Sequence, residues 1–327
     1  MSRKSQSAAH ALLKYESGQN FIPMQAMVDS GDHTTFTITA APWSAAPGRE
    51  PVIRPDGLAT GGAISPASGL NRVSVAALTA YQSGNLVSLA SESLTIARAS
   101  TGSHKISSII LTDSGTLATE EGADGSAFSE SRGADGGPPL IPEGAIELGQ
   151  VRLSGAGDAA IQATEIYSVP GTHTELYDFP IWNENPGTGE VEFVTALPPI
   201  HAGNKPRRVF IQVYTPIFAP LEPTSDFVPP ETTYSQSSTQ VYGGTIGSSS
   251  KSLAQGSFTA YLKDGVTDPI IALEGQELWW QFFPHRLRAP QLLMQATLGM
   301  GRQYPAGDGI RANCTLSASG PAIPVKE

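Results

Sequence analysis

The stretch Ser235–Gly265, SQSSTQVYGGTIGSSSKSLAQGSFTAYLKDG, followed by the aromatic run Leu278-Trp-Trp-Gln-Phe-Phe283, constrains the fold of this chain more than any other feature. Its strand-forming residues come in short runs, and Gly and Ser cut them too often for a helix to propagate. No residue in it is placed to do chemistry. Such a segment suits a protein that works through its surface and its self-association, and an enzyme is not expected.

The same texture runs through the rest of the 327 residues. Strand-like runs occur at Thr34–Thr39, Arg72–Leu78, Asn85–Ala90, Ser93–Arg98 and Lys105–Thr112. They resume at Ala145–Leu153, Ala160–Val169, Glu190–Ala196, Arg207–Thr215, Gln240–Thr245, Gly256–Lys263, Pro269–Leu273, Gln276–Phe283, Leu292–Leu298 and Ile310–Ser317. Val73/Val75 and Leu94/Ile96 alternate with polar neighbours, the period of a sheet with one buried face. With 34 Gly and 26 Pro and only 15% charged residues, turns are frequent and long amphipathic helices few. The expected fold is all-β: a sandwich protomer with extended loops and arms. The one helix expected is short, Gln6–Tyr15, inside an N-terminal arm over residues 1–33. Residues 34–142 read as a β-rich accessory region ending in a Gly/Pro-rich acidic linker, and residues 143–327 as the main sandwich. Within that linker Gly122-Ala-Asp-Gly125 recurs as Gly133-Ala-Asp-Gly136, too close for a structural repeat, and predicts a pair of turns.

Two segments point to assembly. Pro216, Pro220, Pro223, Pro229 and Pro230 lack the amide that a ladder needs, so they predict a long extended loop reaching a neighbouring subunit. Trp279, Trp280, Phe282 and Phe283 place two aromatics on each face of one strand. That pattern predicts burial on both sides, by the core on one face and by another layer or subunit on the other.

Charge narrows the partners. The net charge is −10 and the isoelectric point about 5.1, which disfavours tight general binding to nucleic acid. From Asp113 to Glu147 eight acids face one base, Arg132, so this window holds −7 of the −10. An acidic wall past which DNA slides is compatible with this balance, and loops kept soluble by charge explain it as well. Glu190 and Glu192 alternate with Val191 and Phe193, giving one acidic and one apolar face, as the wall of a lumen requires. Apolar runs such as Val209-Phe-Ile211 are far too short to cross a bilayer, and no apolar segment precedes Lys14 as a secretory signal would. A single cysteine, Cys314, excludes an internal disulfide framework and suits assembly in a reducing cytoplasm.

The chemical motifs are weak, and no cofactor is expected. Gly155-Ala-Gly157-Asp-Ala-Ala160 fits the dinucleotide spacing, but no alternation of strands and helices follows it. Gly247-Ser-Ser-Ser-Lys251-Ser lacks the glycine before the lysine of a phosphate loop, and strand-like residues follow. The six histidines form no metal-ligand spacing. Asp124, Glu130 and Asp135 could offer oxygen ligands to calcium, without the spacing of an EF-hand. A hydrolase or lyase using His173, Glu175 or His201 is a minority alternative.

The order Val241-Tyr-Gly-Gly-Thr-Ile-Gly247, Gly256-Ser-Phe-Thr-Ala-Tyr-Leu-Lys-Asp-Gly265, the aromatic strand, and Tyr304-Pro-Ala-Gly-Asp308 to Cys314-Thr-Leu-Ser317 resembles the tail-tube (major tail) proteins of long-tailed bacteriophages. The likeness covers roughly the last 180 residues and is one of texture and order. It implies a virion protein made in the host cytoplasm. Its protomers form rings, usually hexameric, with inner strands closing an inter-subunit barrel around a DNA channel. Loops and arms would join successive rings, and other tail and head–tail connector proteins would be partners. The chain departs from the family in its length and in lacking a clear helix after the tube strands. A baseplate or receptor-binding component of the same kind of virion is the nearest alternative.

Overall fold

A computed structural model describes residues 10–44, 46–100, 103–169 and 181–326. The fold is all-β: strands take 53% of it and helix 3%, the latter only as short 3-10 turns such as Ala163–Glu165 and, where a strand was expected, Pro269–Leu273, with the proline at its start.

The body is a nine-stranded sheet. Its order is Thr224–Val228, Gly256–Tyr261, Arg311–Ala318, Gln291–Gln303, Glu277–Phe283, Leu12–Ala26, Val209–Leu221 and Val52–Pro55, with Ile323–Val325 added beside Gln291–Gln303. Two expectations fail here. Leu12–Ala26 is a strand in the middle of the sheet, where an arm with a helix at Gln6–Tyr15 was expected. Tyr15, Phe21 and Ile22 favour the extended chain, and Gly18 and Pro23 would break a helix. Two neighbours satisfy its backbone: Leu13 is opposite Leu221 on one side and Phe282 on the other.

The proline segment is the second correction. Pro216 and Pro220 lie within the Val209–Leu221 strand, opposite Gln19 and Lys14. Four residues apart, they share one side of the strand. Beyond Gln212 no strand pairs on the side away from Leu12–Ala26, so missing amides there cost no ladder bonds. Pro223 connects this strand to Thr224–Val228, and Pro230 is buried with its carbonyl accepting from the Ala322 amide at 2.8 Å. The segment is built into the protomer and is not a free arm.

Crossing from Leu221 to Thr224 carries the chain from one end of the sheet order toward the other. Phe227 then stacks on Phe282 with ring centroids 4.1 Å apart. The barrel so outlined is not closed in the protomer. Inside it lie Trp280, Phe258, Leu298, Cys314 and Leu316. A four-stranded sheet, in the order Trp182–Asn185, Glu190–Phe193, Thr35–Thr37 and Val28–Asp29, belongs to a second core. There Phe36, Val191 and Phe193 pack with Trp43, Val209, Ile211 and Val213.

A third core lies between the body strands Val52–Pro55 and Val209–Leu221 in sequence. It comprises Leu58, Val73, Val75, Ile96, Ile109, Leu111, Val151 and Leu153, from three small sheets. The strand His104–Leu111 pairs with Leu117–Glu121 on one side and with Ile146–Ser154 on the other. The expected boundary at 142/143 therefore cuts through one sheet, and the module runs on to Ile166–Ser168. What reads as a linker is packed. The two GADG turns lean on each other, as expected of paired turns: the Gly136 amide donates to Ala123 O at 2.9 Å. A Cβ on Gly125 would come within 2.5 Å of the Gly136 nitrogen.

Candidate assembly surfaces

The most conspicuous surface is a hairpin, Thr232–Val241 and Gly244–Leu253, turning at Tyr242-Gly243. Gly243 holds φ +91, a conformation that excludes most side chains. All ten pairs, from Thr232↔Leu253 to Val241↔Gly244, are in register. The two strands pair only with each other. At a rise of roughly 3.4 Å per residue the hairpin extends over about 34 Å. From Thr233 to Ser252 its described side chains are exposed, with Tyr234 at 72% and Tyr242 fully so.

One face is a row of hydroxyl pairs: Thr233 with Ser252 at 2.8 Å, Ser235 with Ser250 at 2.5 Å and Ser237 with Ser248 at 2.6 Å. The other carries Tyr234, Gln236, Gln240 and Lys251. The hairpin has no core, both outer edges carry unpaired amides and carbonyls, and an isolated two-stranded ribbon is marginal in water. The Gly247–Ser252 motif lies inside this hairpin, so no helix terminus presents it to a phosphate. The strand expected at Gln240–Thr245 is instead the turn, signalled by Gly243-Gly244.

The aromatic strand is buried from both sides, as expected, by layers of its own chain. Trp280 is fully buried in the barrel core and its Nε1 donates to Ala296 O at 3.1 Å. Trp279, 3% exposed, points the other way and donates through Nε1 to the Trp43 carbonyl. Both tryptophans are thus spent inside one protomer, and the expected subunit contact does not involve them. Phe282 stacks on Phe227, and Lys14 Nζ sits 5.0 Å over the Phe283 ring. Between the layers Glu16, 4% exposed, accepts from Ser44 Oγ at 2.9 Å, Gln19 Nε2 at 2.7 Å and the Trp279 amide at 3.1 Å.

Glu190 and Glu192 lie on the outer face of the four-stranded sheet, and Val191 and Phe193 on its buried face. Glu192 is exposed. Glu190 accepts from Thr188 Oγ1 at 2.6 Å.

The acidic window is knitted to bases brought from elsewhere, a pattern with no signal in the sequence. Lys105 meets Glu121 at 2.8 Å and Asp124 at 3.4 Å, Arg152 meets Glu130 at 2.6 Å, and Lys205 meets Glu143 at 3.1 Å. Glu147, buried, pairs with Arg132 and accepts from Ser108 Oγ at 2.5 Å. Asp124 and Glu130 thus serve different bases, and no group of acids or histidines suited to a metal occurs among the described residues. Arg208 joins module and body, with Nε 2.8 Å from Asp56 and Nη2 2.9 Å from Asp113. Burial raises the Asp56 carboxyl above its ordinary range, against the pull of Arg208.

Of the residues considered for catalysis, only His201 lies among the described residues. His201 is buried, its Nδ1 2.9 Å from the Ile141 carbonyl, and burial lowers its pKa. His173 and Glu175 lie outside the described residues. Burial pushes the Cys314 thiol up to about 12, which leaves it a core residue without nucleophilic character. Gly155–Ala160 is an exposed turn after the Ile146–Ser154 strand, followed only by the 3-10 turn Ala163–Glu165 and no nucleotide-binding helix. No helix of the described residues is long and apolar enough to cross a membrane. No protein-family model matches the chain, and no curated protein is significantly similar to it.

Proposed function

We propose that this protein is a structural subunit that works by self-association, and that it is a tail-tube subunit of the long-tailed bacteriophage type. In that reading copies stack as hexameric rings around a conduit for viral DNA. The virion tail is its place, and neighbouring copies and connector proteins are its partners. The observation that carries the reading is the Thr232–Leu253 hairpin, which exposes two long pairing edges and whose described side chains from Thr233 to Ser252 are exposed. Strand addition from another copy would satisfy those edges. The unclosed barrel supports it too, since closure between subunits removes edges that one copy leaves open. The acidic balance suits a channel that DNA traverses without sticking.

Negative-stain microscopy of the purified protein tests this. Tubes or stacked rings are expected, and a variant with Thr233–Ser252 replaced by a two-residue Asn-Gly turn should stay folded and form no tubes. Isolated trimers would favour a receptor-binding component. Monomers at all concentrations would sink the self-association reading.

A further inference from the structure

The outer face of the four-stranded sheet is more than acidic. Cross-strand register puts Ile181, Asn183 and Asn185 on the same side as Glu190, Glu192 and Val194, and Thr35, Thr37 and Val28 continue that side across the sheet. Three of these are apolar and bare: Ile181 is 51% exposed, Val28 68% and Val194 69%. A face needed only for solubility or for a smooth wall has no use for them. Apolar groups beside acids that meet no base among the described residues are the makings of a contact surface with a basic partner.

A matching surface exists on the same chain. The loop Pro284–Pro290 joins Glu277–Phe283 to Gln291–Gln303 and is held in shape by hydrogen bonds, among them that of the Leu287 amide to His285 Nδ1 at 3.3 Å. The Arg286 amide donates to His10 O at 2.9 Å, the Arg288 amide to His285 O at 2.9 Å and Arg286 Nη2 to Ala11 O at 3.3 Å. At its apex Leu287 is 84% exposed, between Arg286 and Arg288. Arg286 is engaged by Glu222 at 2.9 Å, whereas the Arg288 side chain is exposed and makes no ion pair among the described residues. Lys14, beside Phe283, and Lys326, after the Ile323–Val325 strand, add positive charge nearby.

The two surfaces sit toward opposite ends of one ladder. Leu12 pairs with Phe283 at the loop end, and Ala26 pairs with Phe210 just before Val28 enters the four-stranded sheet. Fifteen strand residues separate these ends by about 50 Å. A knob at one end and its complement at the other cannot meet within one copy. Between copies they make a head-to-tail contact, which propagates into a ring or a filament and does not stop at a dimer.

We infer that the Pro284–Pro290 loop of one copy docks on the outer face of the Val28–Asp29/Thr35–Thr37/Glu190–Phe193/Trp182–Asn185 sheet of a second copy, with Leu287 against Ile181 and Val194 and Arg288 against Glu192. This rests on the self-association reading, and it gives Glu190 and Glu192 a subunit contact in place of the lumen wall that alternation alone suggests. The contact is distinct from the hairpin, so the assembly has two separable joints.

The test is a charge swap read by light scattering and sedimentation on the full chain, at low and at physiological salt. Arg288→Glu and Glu192→Lys should each weaken association at least tenfold, because each sets like charges face to face. Combined in one chain, R288E with E192K should restore association to near the wild-type level. Both positions are exposed, so unfolding midpoints should match wild type in all three variants. Wild-type tubes with both single variants assembling normally would overturn the docking and leave self-association standing. Loss in the single variants without recovery in the double would also overturn it, since the two residues would then not face each other. A monomeric wild type would end both readings.

Discussion

Two long antiparallel ladders of this molecule invite comparison. In the first, Leu12–Ala26 runs beside Val209–Leu221. It has Trp280 and its core on one face, and Glu16, Trp279 and the Trp43 layer on the other. In the second, Thr232–Val241 runs beside Gly244–Leu253 with neither face covered. Both satisfy the inner half of their backbone groups equally well. They differ in side chains: the first ladder has large apolar groups to bury, the second chiefly hydroxyls and amides. Burial of apolar area is the main source of stability, so the first ladder holds the fold together and the second adds almost nothing to it. A chain that keeps a ladder of the second kind uses it for something other than stability.

The largest effect should come from emptying the covered ladder. Trp280→Ala removes a fully buried side chain and should cost about 3–5 kcal/mol in urea unfolding, enough to unfold a marginal domain. A loss under about 1 kcal/mol would mean that the strand is not the centre of the core. Next comes the carboxylate between the layers. Glu16→Ala leaves Ser44, Gln19 and the Trp279 amide without their acceptor and should cost about 1–3 kcal/mol by the same measurement.

A smaller effect depends on pH. Folding lowers the His201 pKa below 6.5, so the neutral ring contributes stability that is complete above pH 6.5 and lost as pH falls through the lower folded value. His201→Asn keeps a donor for Ile141 O but does not titrate, so the stability gap between wild type and variant should narrow on acidification. A gap independent of pH between 7.5 and roughly 5 would contradict the buried neutral ring. The smallest effect belongs to the bare ladder. Ser235→Ala with Ser237→Ala, and separately Tyr242→Ser, should each shift protomer stability by less than about 0.5 kcal/mol. A larger loss would show that the hairpin is packed after all, and the contrast between the ladders would fail.

The sequence made the strands legible and their partners much less so. Alternation at Val73/Val75 and at Glu190–Phe193 is a local signal, and it reads the buried faces correctly. The doubled aromatics at Trp279–Phe283 announce a strand covered twice, and the paired GADG turns are equally local. Pairing between distant segments leaves no such mark. Nothing near Leu13 tells that Leu221 and Phe282 will flank it, so alanines and a leucine pair there suggest a helix. Prolines at 216 and 220 read as a loop because the rule against them applies to a strand paired on both sides, and here one side is open. The bases Lys105, Arg152, Lys205 and Arg208 that neutralise the acidic window are likewise supplied by the fold. At the candidate site, composition exposes the hairpin, while the patch of Val28, Ile181 and Val194 emerges only once register aligns three strands on one face.

The central position of Leu12–Ala26 also sets an order of events in synthesis. Ser17 donates to a carbonyl 200 residues further along, and Glu16 accepts from an amide 263 residues away. Leu12–Ala26 therefore waits until Val209–Leu221 and Glu277–Phe283 have been made before its sheet can close, a long-range closure of the kind that makes β folds slow. The module with the Val73, Ile109 and Val151 core is finished long before, at Ile166–Ser168, and can fold while the body is still being made. The body strands Gln291–Gln303 and Arg311–Ala318 complete the barrel core only after the hairpin has been made. The pairing edges of the hairpin emerge before that core exists, so a nascent chain passes through a stage that is sticky before it is stable, and crowding of ribosomes on one message would be the moment of greatest risk.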